Sequence, residues 1–286
     1  MSPHRTGTDH VSAERALNVV VTAPADSAEL AADALWQLGA TAVEERSVGE
    51  HVELRAALGD DETLLRGLLA DLDAEWRLEW VDLSVADTWR NFVQPVLVSQ
   101  SLRVVPAWLD DGAPFEGITL LVEPGATFGL GNHPTTVGCL RLLELLVRQG
   151  DQVLDVGTGS AVLAVAAVRL GASHAHGTDI NPASPSVGAT NAMLNGVADR
   201  VTVDLAGLPT MSEAFDVVVA NILAPTLIEL STDLIRLSGR VLIVSGLLAD
   251  RYEHVVEALA PLRLAHLEEV DGWVSLALTR SGQLPH

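Results

Sequence analysis

Val153-Leu154-Asp155-Val156-Gly157-Thr158-Gly159-Ser160 decides the fold. Apolar residues suited to a buried strand lead into a turn with two glycines. An apolar helical stretch, Ala161–Leu170, follows. Gly157 and Gly159 let the backbone turn sharply and approach a ligand closely. The N-terminus of the helix that follows favours a negative group. Strand, glycine turn and helix form the first unit of an α/β domain.

The same alternation continues downstream. Ala175–Thr178 precedes a helical Pro185–Leu194, and Val201–Leu205 is a further strand. Phe215–Ala220 precedes Thr226–Leu237, Arg240–Ser245 precedes Arg251–Leu259, and Trp273–Thr279 closes the series. Strands alternating with helices predict a mostly parallel, Rossmann-like sheet covered on both faces, here assigned to residues 118–286. Ligands of such sheets bind at the carboxyl ends of the strands.

Two cofactor classes use a glycine turn at this place. Dinucleotide enzymes want a third glycine, and Val162 stands there. The S-adenosylmethionine (SAM) class wants an acid at the strand end followed by Gly-x-Gly, which Asp155, Gly157 and Gly159 provide. A second acid is wanted at the end of the next strand for ribose hydroxyls, and Asp179 stands about 20 residues beyond the turn. Val217–Ala220 then runs into Asn221-Ile222-Leu223-Ala224. An Asn there either accepts a hydrogen bond from a substrate amine or simply starts a turn. Upstream, Thr127–Thr136 is a glycine-rich loop with His133, Thr135 and Thr136, leading into a helix at Val137.

The N-terminal part carries a different pattern. Residues 1–15 are a polar tail without the apolar core of a signal peptide. Within 16–85 the order is strand (Leu17–Thr22), helix (Ser27–Leu38), strand (Ala42–Ser47), strand (His51–Leu58), helix (Asp61–Leu72) and strand (Trp76–Ser84). Ser27 is a candidate cap, Gly39 a stop, and Val48-Gly49-Glu50 a turn. This order predicts a small α+β ferredoxin-like domain. Residues 86–117, with Trp89, Phe92, Pro95, Pro106, Trp108 and Pro114, are expected to form a fixed connector.

The chain has 286 residues, 48% hydrophobic and 19% charged, a globular composition. All 17 of its basic residues are arginine, which removes Schiff-base chemistry and a Walker A lysine. The one cysteine, Cys139, lies in an apolar run and is expected to be buried; an internal disulfide or a multi-cysteine metal site is excluded, and no metal is expected. A formal net charge of −21 disfavours direct nucleic-acid binding and suits a basic partner, although solubility alone also accounts for it. No apolar stretch reaches the ~20 residues of a membrane span, so a cytoplasmic protein away from membranes is expected; its oligomeric state is left open, with a monomer favoured.

Taken together, these runs resemble the ribosomal protein L11 methyltransferase family. The family's Phe-Gly-Thr-Gly-Thr-His-Pro-Thr-Thr loop is similar to Phe128–Thr136, with Leu130 and Asn132 in place of Thr. Its glycine turn is similar to Asp155–Ala161, with Ala161 for Gly. Its Asp-Ile-Asp-Pro is similar to Asp179-Ile180-Asn181-Pro182, followed by Asn191-Ala192 and Asn195-Gly196-Val197. Its Ala-Asn-Ile-Leu-Ala is present at Ala220–Ala224, and its late Leu-Ser-Gly-Ile-Leu is similar to Val244–Leu248. The resemblance implies that the small domain recognises the basic ribosomal protein L11. It implies that the large domain transfers methyl groups from SAM to lysine ε-amines and the N-terminal α-amine. It implies cofactor contacts at Thr136, Gly157, Asp179 and Asn221, with Asp155 and Gly159 completing the turn.

The expected mechanism is direct in-line displacement, with Asn221 orienting the amine and His133 as a candidate general base, its alternative being a structural place in the loop. Two other readings stand beside this one. One is a same-fold N-methyltransferase acting on another protein, a peptide or a small amine; the other is an inactive SAM-binding scaffold.

Overall fold

A computed structural model describes residues 15–24, 31–32, 35, 38, 40, 43–49, 51–58, 62–70, 74–82, 93–123, 125, 127 and 131–284. The chain divides into two compact units, residues 1–92 and 93–286. None of the helices in the described residues is long and apolar enough to cross a membrane.

In the first unit, β1 (Arg15–Pro24), β2 (Val43–Val48), β3 (His51–Ala57) and β4 (Glu75–Asp82) form an antiparallel sheet in the order β2-β3-β1-β4. Alternation makes the sheet two-sided, with Val20 the buried exception on the charged face. Leu17, Val19, Val21 and Ala23 of β1 pack with Val52, Leu54 and Ala56 of β3. Leu65 of α1 (Glu62–Leu68) and Leu69 close this core. On the opposite face Arg77 bonds Glu53 at 2.9 Å and Glu79 at 2.8 Å, and Arg55 lies 3.6 Å from Glu79. The Arg77 guanidinium holds the Glu53 carboxyl below the usual carboxylate range. Val20 pairs across the strands with both Arg55 and Arg77 and is fully buried. The strand order is that of a ferredoxin-like sheet. Of the first expected helix, Ala31, Ala32 and Leu35 are helical. Its cap Ser27 and stop Gly39, and likewise the tail 1–14, lie outside the described residues.

The expected connector 86–117 differs from what is found. From Val93 onward it belongs to the second unit. β5 (Val96–Leu97), β6 (Leu102–Pro106) and β7 (Ile118–Val122) form a three-stranded sheet, with β6 and β7 parallel. Val98, Leu102, Val104, Leu120 and Val122 are part of the main core. The prolines concealed these strands, Pro106 being the last residue of β6. Trp89 and Phe92 lie outside the described residues.

The second unit also contains β8 (Gln152–Val156), β9 (His174–Thr178), β10 (Val201–Asp204), β11 (Phe215–Asn221), β12 (Ser238–Leu248), β13 (Arg263–Val270) and β14 (Trp273–Thr279). Their order is β10-β9-β8-β11-β12-β14-β13, parallel through β12, with β14 and β13 antiparallel. Successive residues feed opposite faces, as in a sheet buried on both sides. Val153, Val217, Val219 and Ile243 pack with α2 (Pro134–Leu146) and α3 (Val162–Leu170). Leu154, Val218, Leu242 and Val244 join Leu227, Leu234 and Val255. These last three belong to α5 (Ala224–Glu229), α6 (Ser231–Leu237) and α7 (Glu253–Ala258). α4 (Ser184–Leu194) follows β9. The single helix expected over 226–237 is broken at Leu230. β13 had no sequence expectation, although Asp271-Gly272 signals its hairpin. Both residues have positive φ, 49° and 79°, as a two-residue turn requires.

Candidate functional site

Strand order reverses between β8 and β11, the switch point where open α/β sheets bind ligands. Register aligns the strand ends there. Val156 pairs with Thr178 and with Ala220, and Asn221 pairs with Ser245. The sequence-predicted residues Asp155, Gly157, Gly159, Asp179 and Asn221 therefore converge on one edge of the sheet.

The glycine turn is held from below. Gly157 has φ +71°, and a Cβ on it would collide with Ile222 Cγ2. Gly157 and Thr158 both donate their backbone N–H to Thr178 O, at 2.9 and 3.1 Å. Asp155 Oδ2 accepts from Thr158 Oγ1 at 2.7 Å and from the Ala164 N–H at 3.1 Å. Asp155 Oδ1 is buried and takes no hydrogen bond from the described residues. Burial pushes this carboxyl up to about 7, its two hydrogen bonds opposing the shift. Asp155 is thus a buried acceptor for which a cationic or N–H-bearing group would be welcome. Ala161, at the N-cap of α3, supplies no side-chain cap and leaves the helix start to the turn itself.

Asp179 follows β9. Its Oδ2 accepts from the Gly159 N–H at 2.7 Å, and its Oδ1 from the Asn181 N–H at 2.9 Å. A carboxylate has about four acceptor positions, so capacity for ribose hydroxyls remains. Asn181 Oδ1 in turn accepts from the Ala183 N–H at 2.9 Å, so its amide oxygen serves its own turn. Ile180 beside them is 98% exposed, an apolar side chain standing free next to the turn.

Asn221 ends β11. Its Nδ2 donates to Thr136 Oγ1 at 3.3 Å, fixing the amide so that Oδ1 is the free end. Thr136 is buried in the first turn of α2. His133 is the N-cap of that helix: its Nδ1 accepts from the Thr135 N–H and lies 2.8 Å from Thr135 Oγ1. Its ring meets Trp273 edge-on at 5.2 Å, and burial lowers its pKa. His133 therefore sits in the loop as a capping imidazole, with Nδ1 engaged by Thr135. Phe128, Gly129 and Leu130 lie outside the described residues. Beneath Thr135, Ser245 Oγ and Ser275 Oγ lie 2.7 Å apart, each 3.4 Å from Thr135 O. Cys139 joins this buried group, and burial pushes its thiol up to about 12, outside nucleophilic range.

Sequence reasoning gave no role to Asn191, although its motif was noted. The residue is fully buried and donates to Ser160 O within the glycine turn at 2.8 Å. The available signal was a pair of asparagines four residues apart on one helix.

These residues fit a SAM molecule. A glycine turn, a strand-end acid with spare acceptor capacity, an orphaned buried carboxylate oxygen and an anchored Asn amide match its polar and cationic groups. Comparisons with known proteins agree. A sequence profile described as ribosomal protein L11 methyltransferase (PrmA) matches residues 67–281. A ribosomal protein L11 methyltransferase of Symbiobacterium thermophilum is 40% identical over 235 residues, spanning 79% of this chain and 75% of that protein. One of Anoxybacillus flavithermus is 39% identical over 197 residues, and the match covers 66% of this chain and 63% of that protein's length. The crystal structure of a ribosomal protein L11 methylase from Lactobacillus delbrueckii subsp. bulgaricus superposes with a TM-score of 0.60 at 31% identity. It covers 66% of this chain and 98% of that one. With fold, strand-end chemistry and sequence in agreement, the chain belongs to the ribosomal protein L11 methyltransferase family, and its large unit is a SAM-dependent methyltransferase domain.

Proposed function

We propose that the protein methylates ribosomal protein L11, transferring methyl groups from SAM to lysine ε-amines and the N-terminal α-amine. The observation that carries this reading is the Asn221 amide. Thr136 takes its Nδ2, leaving Oδ1 at the strand end beside the glycine turn. SAM supplies an electrophilic methyl on a sulfonium. Gly157 and Gly159 would let the backbone approach it, and Asp179, with acceptor capacity to spare, would hold its ribose hydroxyls. Asn221 Oδ1 accepts one N–H of the incoming amine and points the nitrogen lone pair at the methyl carbon. Transfer would form the N–C bond as the C–S bond breaks, and the proton of the product ammonium would leave to water. His133 contributes by capping α2 and so fixing Thr136. Desolvation in the site favours the neutral amine that attacks.

The acidic chain, with a net charge of −21, suits a basic protein substrate. Recognition is assigned to the small unit, whose exposed sheet face carries Arg55, Arg77, Glu53 and Glu79. The reading places the protein in the cytoplasm with the assembling ribosome, as a monomer.

The test is intact-mass spectrometry of recombinant ribosomal protein L11 after incubation with SAM and the protein. Mass gains in methyl steps are expected. Asn221→Ala should lower the rate by roughly 10²- to 10⁴-fold while SAM still binds, because the lost interaction is one of orientation. No mass gain, with SAM binding intact by calorimetry, would overturn the substrate and leave another protein, peptide or small amine.

A further inference from the structure

β7 pairs with β6 on one side only, so the backbone of Leu121 and Glu123 faces an open edge. Two asparagines of the α4 segment fill that edge in place of a strand. Asn195 Oδ1 accepts from the Leu121 N–H at 2.9 Å, and its Nδ2 donates to Leu121 O at 2.7 Å. Asn191 repeats the pattern at Glu123, accepting from its N–H at 2.8 Å and donating to its carbonyl at 2.9 Å. The spacing explains the match. Four helical residues rise about 6 Å, and two strand residues about 6.6 Å. An amide side chain carries both an acceptor and donors, so it can imitate a peptide group.

The two asparagines differ in one respect. The second hydrogen of Asn191 Nδ2 goes to Ser160 O at 2.8 Å, inside the glycine turn. That of Asn195 goes back to Asn191 O within its own helix, also at 2.8 Å. Ser160 and Asn191 are both fully buried, so this bond has no competition from water.

We propose that Asn191 is a positioning residue for the cofactor: it fixes the glycine turn against the edge of β7, so that the Gly157–Ser160 backbone is preset to receive SAM. Asn195 provides the same edge clamp without the link to the turn. The proposal rests on the SAM reading above. It assigns Asn191 to cofactor binding and not to the methyl-transfer step.

The paired variants Asn191→Ala and Asn195→Ala separate the two roles. Each removes the two hydrogen bonds to the β7 edge and should lower the melting temperature comparably. By calorimetry, Asn191→Ala should weaken SAM at least tenfold, and Asn195→Ala by less than threefold. In steady state Asn191→Ala should raise KM for SAM with kcat within about threefold of the parent. A second measurement needs no variant. Saturating the wild-type protein with S-adenosylhomocysteine should slow hydrogen exchange of the Glu123 amide, which bonds Asn191, more than that of the Leu121 amide, which bonds Asn195. Equal slowing of the two amides, or equal loss of SAM affinity in the two variants, overturns the inference. A wild-type protein that binds no SAM overturns the functional reading itself, which keeps the two failures distinct.

Discussion

The two units treat polar residues in opposite ways. Among the described residues every buried polar or charged side chain, from Thr135 to Thr279, lies in the large unit. Among the described residues the small unit's core is apolar, and its ion pairs lie across one sheet face and, for Arg66 and Glu62, along α1. Burying a polar group without a full set of partners is unfavourable, so a fold that needs only stability avoids it. The large unit accepts Asp155, Thr136, Asn191 and Ser245 in its interior because strand ends and a turn there must be held to fixed positions. Internal polar placement thus separates the methyltransferase unit, whose strand ends need fixed polar groups, from a small unit held by apolar burial.

This contrast breaks most sharply if the small unit's core proves to matter for the cofactor. Leu54 is fully buried among Leu17, Val19, Val21 and Leu65. Leu54→Ala should destabilise the small unit by about 2–4 kcal/mol through lost burial and the cavity left behind. Hydrogen exchange of β1 and β3 amides should accelerate accordingly, and SAM affinity by calorimetry should stay within twofold. A parallel loss of SAM affinity would show that the two units share one cooperative fate.

The same contrast explains what was legible in the sequence. The small unit's strands followed from alternation, because one face of each strand is apolar and the other, Val20 excepted, is mostly polar. The glycine turn was legible because backbone geometry restricts the residue: at φ +71° and against Ile222, position 157 leaves no room for a side chain. β5 to β7 were hidden because Pro95, Pro106 and Pro114 carry the signature of a connector, while the pairing of β6 with β7 depends on residues far apart in sequence. Asn191 and Asn195 offered only their four-residue spacing, because their partners at Glu123 and Leu121 lie on a distant strand. The orientation of Asn221 likewise depends on Thr136, reached only through the fold. Pattern reveals elements; the tertiary partner of a polar side chain is a property of the packed structure.

A second prediction sharpens the polar side of the comparison. Burial raises the Asp155 carboxyl to about 7, above its unfolded value, with Asp179 nearby adding to the shift. In the window between the two values the folded state holds a proton that the unfolded state has lost. Stability from this group is therefore present in acid and declines as pH rises from about 4 to about 7. Asp155→Asn preserves an acceptor for Thr158 and Ala164 and removes the charge. Urea denaturation should find the variant close to wild type below pH 4 and progressively more stable than wild type as the pH is raised to 8. If the two proteins show parallel pH profiles, the carboxylate is neutralised by something other than its own proton.

The smallest effect expected is at Ala161, where this chain departs from the glycine of its family resemblance. Ala161 has φ +63° and is fully buried at the start of α3. A left-handed backbone costs an alanine about 1 kcal/mol relative to glycine. Against that, its methyl contributes about 0.8 kcal/mol by burial. It also spares the chain the roughly 0.5–1 kcal/mol of extra backbone entropy that glycine loses on folding. Across the contact, Gly188 of α4 leaves the space this methyl occupies: a Cβ at 188 would come within 3.1 Å of Ala161 Cβ. The terms nearly cancel, so Ala161→Gly should shift unfolding free energy by less than about 1 kcal/mol and leave SAM affinity within threefold. A loss of more than ~2 kcal/mol would mean that the methyl wedges α3 against α4. The turn would then be held by apolar packing as much as by its buried polar bonds, and the division drawn between the two units would have to be relaxed at the site itself.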